Sequence, residues 1–498
     1  MAETGDIRID DIMPHVPDRW VTLPFEDCLD GSKKEFKKLK KKNITSKGIY
    51  PVIDQGEDFI SGYVDNETDL YRGPLPAIIF GDHTRRIKFI DFQFAVGADG
   101  TKIFHPFPAL YPKFFYYYLR SLNLVSQGYS RHYRFLKVID VPIPSLKEQH
   151  GIVAKLEQLL AKVDACQERL DKIPALLKRF RQSVLAVACS GRLTVDWREE
   201  NPEIVPVNKN LRSADQFRKA NIAAANQDAK STNFRYKPAA QIDLGNRTKG
   251  IDELFELPAT WEWASLGQLT WHVVDGPHFS PKYVEKSLGL PFISGRNVFF
   301  HGIDFSDAKY VSREDHEVFS KRAKPSVGDV LLTKGGTTGI AAVVSRSEEF
   351  SIWVHVALLK LVPELVTPFY LRDVLSAPFV YAQSQAQTHG IGNQDLGLTR
   401  MVHMALPLPP LSEQQEIVRR VEALFKIADR IEERYKKAKV HVDKLTQSIL
   451  AKAFRGELVP QNPNEEPVIA LLERIRTLKI ADAPIAKTGH TRSTRRKA

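Results

Sequence analysis

Six stretches of this chain carry side chains suited to contact with phosphates and base edges. Residues 31–42 hold Lys33, Lys34, Lys37, Lys38, Lys40, Lys41 and Lys42 against the single acid Glu35. Such point charges neutralise phosphates, although the same run is also what a solvated loop looks like. Gly81-Asp-His-Thr-Arg-Arg86 supplies His83, Arg85 and Arg86, and Ser130-Arg-His-Tyr-Arg134 supplies Arg131, His132 and Arg134. Arg binds guanine bidentately, and His, Thr and Tyr reach base edges or phosphates. Ser294-Gly-Arg-Asn297 offers Arg296 and Asn297, the side chains that best fit guanine and adenine. Lys334-Gly-Gly-Thr-Thr-Gly339 offers Lys334, Thr337 and Thr338 beside exposed backbone N–H groups, either as a phosphate cradle or as a Gly-rich hairpin turn. Gln387-Thr-His-Gly390 is a weaker sixth candidate.

Catalytic patterns are missing. The chain has no Walker A spacing, no GxGxxG after a strand, no HExxH, no paired His/Cys metal site and no Asp/Asn-Pro-Pro-Tyr/Phe tetrapeptide of adenine methyltransferases. One nuclease-like order occurs, Asp27 or Asp30 followed by Glu35 and Lys37, but it lies in the Lys-rich loop and not on a convincing strand. The net charge of +11 favours a polyanionic partner, nucleic acid first. Three cysteines, Cys28, Cys166 and Cys189, form no CxxC pair, which fits a reducing compartment. No signal-peptide pattern and no apolar run of about 18–20 residues is present, so the expectation is a cytoplasmic protein without membrane contact.

The elements that must position these loops fall into blocks, since 498 residues exceed one core. Residues 1–141 read as a mixed α/β globule, with strands at Ile49–Ile53, Leu75–Phe80 and Ile87–Ile90 and a helix over Lys113–Leu124. Residues 194–250 are polar and read as a loosely packed linker, with one helix near Ser213–Asp228. Residues 251–406 form a second block, with strands at Leu290–Ser294, Asp329–Thr333 and Ile340–Val344. It opens on Pro258-Ala-Thr-Trp261, an echo of Pro17-Asp-Arg-Trp20. Residues 459–498 hold a short amphipathic helix at Glu465–Ile480 and a basic tail.

Between the blocks lie two copies of one segment. Residues 142–193 and 407–458 align without a gap and agree at 20 of 52 positions, where chance gives roughly three. Each copy has a Pro-rich lead-in and closes on Gly191 or Gly456. In the first, apolar residues follow a 4,3 spacing through Ile152, Leu156, Leu159, Val163, Cys166, Leu170, Ile173, Leu177, Phe180 and Val184, the seam of a coiled coil about 50 Å long. Ser145 and Glu148 predict a capping box, and Cys166 reads as a core residue. In the second, the seam runs through Ile417, Val421, Leu424, Ala428, Ile431, Tyr435, Ala438, Val442, Leu445 and Ile449. Pro174 in the first copy, where the second has Lys439, predicts a kink or local split.

This plan resembles the specificity subunit of type I restriction–modification systems. The resemblance is carried by Pro409-Pro-Leu-Ser-Glu-Gln-Gln-Glu-Ile417, Ser448–Leu458 and Leu471-Leu-Glu-Arg-Ile475, and more weakly by Pro144–Gln149 and Ser183–Leu193. Pro174, Lys147 in place of a small polar residue, and the long linker after Leu193 depart from it. The resemblance implies an α+β chain with two α/β target-recognition domains and two long helices forming an antiparallel coiled coil. Each domain would read one half of a split, asymmetric double-stranded DNA site, and the coil would set the spacer. The chain would be non-catalytic and hold no cofactor. Two methyltransferase subunits would use S-adenosylmethionine, and two restriction subunits would use ATP and Mg. Two other readings stay open at this point: a single-chain restriction–modification enzyme (nuclease/methyltransferase), or a nuclease using Asp30, Glu35 and Lys37; and a coiled-coil scaffold that binds no nucleic acid.

Overall fold

The computed structural model describes residues 16–30, 36–97, 100–122, 124, 130–228, 254–390, 394–462, 464–470 and 472–473. It divides into two units, Met1–Asp171 with Lys436–Ala498, and Lys172–Tyr435. The division cuts both long helices, Leu146–Cys189 and Leu411–Phe454. Each unit therefore owns the start of one repeat and the end of the other.

The first unit contains a four-stranded sheet in the order Lys38–Leu39, Ala95–Gly97, Tyr50–Ile53, Gly62–Val64, and an antiparallel three-stranded sheet centred on Ala77–Gly81. Ala77–Gly81 is buried throughout, as expected of a central strand with both faces covered. Val21–Pro24 pairs antiparallel with Asp140–Ile143, and the latter strand feeds the first long helix. The helix Pro112–Ser121, with Pro at its start, buries Phe114, Phe115, Tyr117, Tyr118 and Leu119. Ile152, Leu156, Leu450 and Phe454 join the same core, so both repeats build it.

The second unit repeats this entrance. Glu262–Ser265 pairs with Ala405–Leu408, the strand that feeds the second long helix. An antiparallel four-stranded sheet runs in the order Thr270–Asp275, Val356–Leu361, Val330–Thr333, Ala341–Val343. Beside it stands a three-stranded sheet of Lys309–Ser312, Gly289–Ile293 and Ser351–Ile352. Val184, Leu185, Ala188 and Cys189 from the first repeat share a core with Ile417 and Val421 from the second.

Of the linker expected at 194–250, the helix near Ser213–Asp228 is present within a longer one, the part before it is packed and not loose, and residues 229–250 lie outside the described residues. Helices occupy Val195–Glu200 and Asn208–Asp228, and Val207 and Ala214 are buried in the second unit's core. So few apolar residues among Asn, Ala and Ser give little periodic signal. Of the C-terminal helix expected at Glu465–Ile480, residues 468–470 and 472–473 are helical, 465–467 are not, and 471 and 474–480 lie outside the described residues, as does the basic tail.

The two long helices pack antiparallel within each unit. In the first, Gln167 bonds Asp443 and Asp171 pairs with Lys439 at 2.9 Å. In the second, Arg181 meets Asp429 at 2.7 Å and Glu432 at 2.8 Å. The seam is real at the ends and thin in the middle. Ile152, Leu156, Val163, Leu177, Ile417, Val421 and Val442 are buried, whereas Leu159, Leu170, Leu424 and Leu445 are half-buried. Cys166 is exposed and not core, and Phe180 and Ile431 are exposed as well. Two helices alone cover only a narrow stripe of each other, and full burial needs the domain cores at their ends. The first helix runs unbroken through Pro174, so of the kink or local split expected there the split does not occur; a proline removes one backbone bond, and a long helix can continue around it.

Candidate nucleic-acid interface

In the first unit the basic candidates separate into exposed and buried groups. Lys33, Lys34 and Glu35 lie outside the described residues. Lys37 is exposed and paired with Asp69, and the Lys38 ammonium lies 5.9 Å from the centre of the Phe36 ring. Lys40, Lys41 and Lys42 are exposed. Arg86 is exposed and meets Glu57 at 2.6 Å. Arg131 and Arg134 are exposed, and the Arg134 guanidinium lies 4.8 Å from the centre of the Phe135 ring.

Two candidates of the same stretches do structural duty instead. His132 is fully buried, and its backbone N–H donates to the carbonyl of Asp82, whose oxygen also lies 3.0 Å from the ring Nδ1. Arg85 has φ 61° and donates through Nη1 to the carbonyl of Leu124 at 2.6 Å. The neighbouring His83 is half-buried, its backbone N–H bonded to Gln55. Polar side chains in loops often satisfy the loop's own backbone, so residue type alone did not separate His132 and Arg85 from their exposed neighbours.

The second unit shows the same sorting. Arg296 is exposed beside Asp307, and Thr337 is exposed. Asn297 is buried and closes a capping box with Ser294. Thr338 is buried and hydrogen-bonded to Thr388 at 3.1 Å, which ties two of the predicted stretches together. Lys334 is only 5% exposed and lies between Asp275 at 3.4 Å and Asp395 at 2.8 Å. A lysine neutralised by two carboxylates is a clamp for loops and not a free charge for phosphate. Sequence reasoning missed Asp275, Arg322, His278 and Arg400, because their association spans strands far apart in the chain. Burial pushes the nearby His272 down to about 4, helped by Lys360 and Arg322.

The repeat itself builds a clasp at the base of each block. The Trp20 indole N–H donates to Glu148 at 3.1 Å, and that of Trp261 to Glu413 at 2.8 Å. The two sequence echoes, Pro-x-x-Trp and the repeated Glu, thus meet in one hydrogen bond per unit. Of the capping box expected at Ser145, half is present: the Glu148 backbone N–H donates to Ser145 Oγ, while the Glu148 side chain accepts from Trp20. The next residue is buried in both units. Gln149 Nε2 donates to the carbonyls of Ala109 and Pro144, and its Oε1 accepts from Tyr111 N. Gln414 does the same with Leu365, Pro409 and Thr367 N. The exits close the clasp. Gly456 has φ 74°, and a Cβ there would lie 2.3 Å from Pro17 Cγ; at Gly191, also φ 74°, it would lie 2.5 Å from Pro258 Cγ.

The clasps differ in electrostatics. Glu413 is ion-paired with Arg198, accepts from Thr194 at 2.7 Å, and is fully buried. Glu148 has Glu465 nearby, and burial holds its carboxyl above the usual carboxylate range, with Trp20 opposing the shift.

Two similar helical copies, each clasping a block of dissimilar loops, make one repeated frame that carries two different loop surfaces. The profile of the type I restriction modification DNA specificity domain matches residues 17–175 and again 283–441, and the chain belongs to this family. It is 30% identical to the specificity subunit of the type I restriction enzyme EcoBI of Escherichia coli over 74% of this chain and 72% of that one. It is 32% identical to the EcoDI specificity subunit of the same species, over 72% of each. Among solved structures, one described as the structural basis of complex assembly and conformational transition of the type I R-M system matches with a TM-score of 0.55. That match has 16% identity and covers 89% of this chain and 99% of the other, a likeness of fold. Among the described residues no helix is long and apolar enough to cross a membrane, and no group of three or more His, Cys, Asp or Glu is arranged to hold a metal.

Proposed function

We propose that this chain gives a type I restriction–modification complex its DNA sequence specificity by reading a bipartite, asymmetric double-stranded site, one part per recognition block. The observation that carries the reading is the double family match, one for each clasped block, over loops that share little sequence. Catalysis belongs to other chains. Two methyltransferase subunits would methylate adenine with S-adenosylmethionine, and two restriction subunits would consume ATP with Mg and cut DNA. The exposed Lys37, Lys38, Arg86, Arg131, Arg134, Arg296 and Thr337 are the proposed contacts, with Lys33 and Lys34 in the same Lys-rich run. The length of the two repeats would set the number of unread base pairs.

Purified complex of this chain with its methyltransferase subunits, tested by gel shift on a sequence pool, is expected to retain one split sequence. Binding that falls with salt yet shows no sequence preference overturns the reading. Mapping methylated adenines in the host genome with and without this gene gives the same answer in the cell.

A further inference from the structure

At one end of the second unit's four-stranded sheet, three loops converge on one carboxylate. Asp275 ends the strand Thr270–Asp275 and is 2% exposed. Its Oδ1 accepts from Arg322 Nη2 and lies 3.2 Å from His278 Nε2, and its Oδ2 lies 3.4 Å from Lys334 Nζ. Lys334 reaches on to Asp395 at 2.8 Å, and Arg400 Nη2 donates to the Asp395 carbonyl at 2.7 Å. Asp395 in turn bridges Gly335 and His389 through its backbone. The paths out of the cluster are narrow. A Cβ on Gly276 would lie 1.9 Å from the Ile352 carbonyl oxygen, and one on Gly335 would lie 2.5 Å from the His355 ring.

Asp275 and Lys334 are buried, while Arg322, His278 and Asp395 stay partly open to solvent. A buried ion pair gains little stability over apolar packing, and such a cluster is best understood where it fixes one arrangement among several. The opposite end of the same sheet provides the contrast. There Asp329 pairs with Lys360 at 2.7 Å and caps the turn at Ser326, all within the sheet and its adjoining turn. The Asp275 cluster instead orders loops whose outer side chains include exposed His278, Phe279, Thr337 and His389. An imidazole, a phenyl ring and a hydroxyl offer hydrogen bonds and apolar contact to base edges in the major groove.

We propose that Asp275 is a positioning residue for DNA sequence recognition, holding Arg322, Lys334 and His278 so that the loops carrying His278, Phe279 and Thr337 form one base-reading surface. This rests on the reading of the chain as a DNA-specificity subunit and says where the second block reads.

The test compares Asp275→Asn with Asp329→Asn in the assembled complex, using selection from randomised duplexes and thermal melting. Asp275→Asn is expected to relax base preference at one half of the split site by about tenfold per affected base pair, leaving the other half unchanged. Asp329→Asn is expected to lower the melting temperature with both halves read as before. Unchanged preference in Asp275→Asn, or equal effects of the two variants, overturns the proposal. Should Asp275→Asn fail to fold, Phe279→Ala at the exposed rim decides the matter: loss of preference in one half supports the proposal, and retention overturns it. A wild-type complex with no split preference would overturn the underlying reading too, and is seen before any variant is made.

Discussion

The indole N–H of Trp261 lies 2.8 Å from the carboxylate of Glu413, and Trp20 repeats the bond to Glu148 at 3.1 Å. The acids are equivalent in the repeat and unequal in surroundings, since Glu413 is ion-paired with Arg198 and fully buried, whereas Glu148 lies near both Glu465 and Arg19. Glu413→Gln keeps an acceptor for the indole but strands Arg198, at a cost of roughly 3 kcal/mol. Glu148→Gln removes a charge that burial already disfavours and is expected to change stability by less than about 1 kcal/mol. Urea unfolding of the full chain at neutral pH distinguishes them; equal losses would contradict the asymmetry.

Gln149 and Gln414 each satisfy three backbone groups from a buried position. Replacement by Leu leaves a buried N–H and two carbonyls without partners, each worth about 1 kcal/mol or more. Gln149→Leu and Gln414→Leu are both expected to lose roughly 3 kcal/mol, measured by the same unfolding curves.

Asp373 supplies the pH dependence. Burial raises its carboxyl to about 7, against the opposing influence of the adjacent Arg372. A folded-state value above the unfolded one means that the native chain binds the extra proton, so this residue's contribution falls as pH rises from about 4 to about 7. Between pH 4 and pH 8 the stability difference is therefore expected to shift in favour of Asp373→Asn by an amount on the order of 2–4 kcal/mol, whatever the variant loses through its weaker bond to Arg372. Denaturation midpoints at pH 4, 6 and 8 check the sign.

Exposed Arg131 and Arg134 flank buried His132. Arg131→Ala with Arg134→Ala is expected to weaken DNA binding and lower the salt slope by about one per lost phosphate contact, with the melting temperature unchanged. His132→Ala is expected to act the other way round, lowering stability first. Binding titrations at several salt concentrations, alongside melts, separate the two.

What could be read without coordinates was the periodic and the repeated. The copies at 142–193 and 407–458, the strand Ile87–Ile90 and the Gly191 stop all follow from local chemistry. The 4,3 spacing, however, does not say what covers each seam position. Cys166 and Ile431 satisfy the pattern and still face solvent, while Phe454, just past it, is buried in a domain core. The loops were harder still. Arg131 and His132 are neighbours of like chemistry, and only the position of Asp82, 50 residues away, makes one of them structural. The Asp275 cluster left no local trace, because its members come from separate strands and loops.

Phe454 and Gly456 have a consequence for synthesis. Phe454 packs against Phe114 at 5.2 Å and Gly456 sits on Pro17, so the first block's core contains residues made after the whole of the second block. The second block meets its last repeat residues, Ile417 and Val421, soon after its own strands emerge. Of the two blocks the earlier is therefore finished after the later, and it must wait with an open apolar flank while the second block is made.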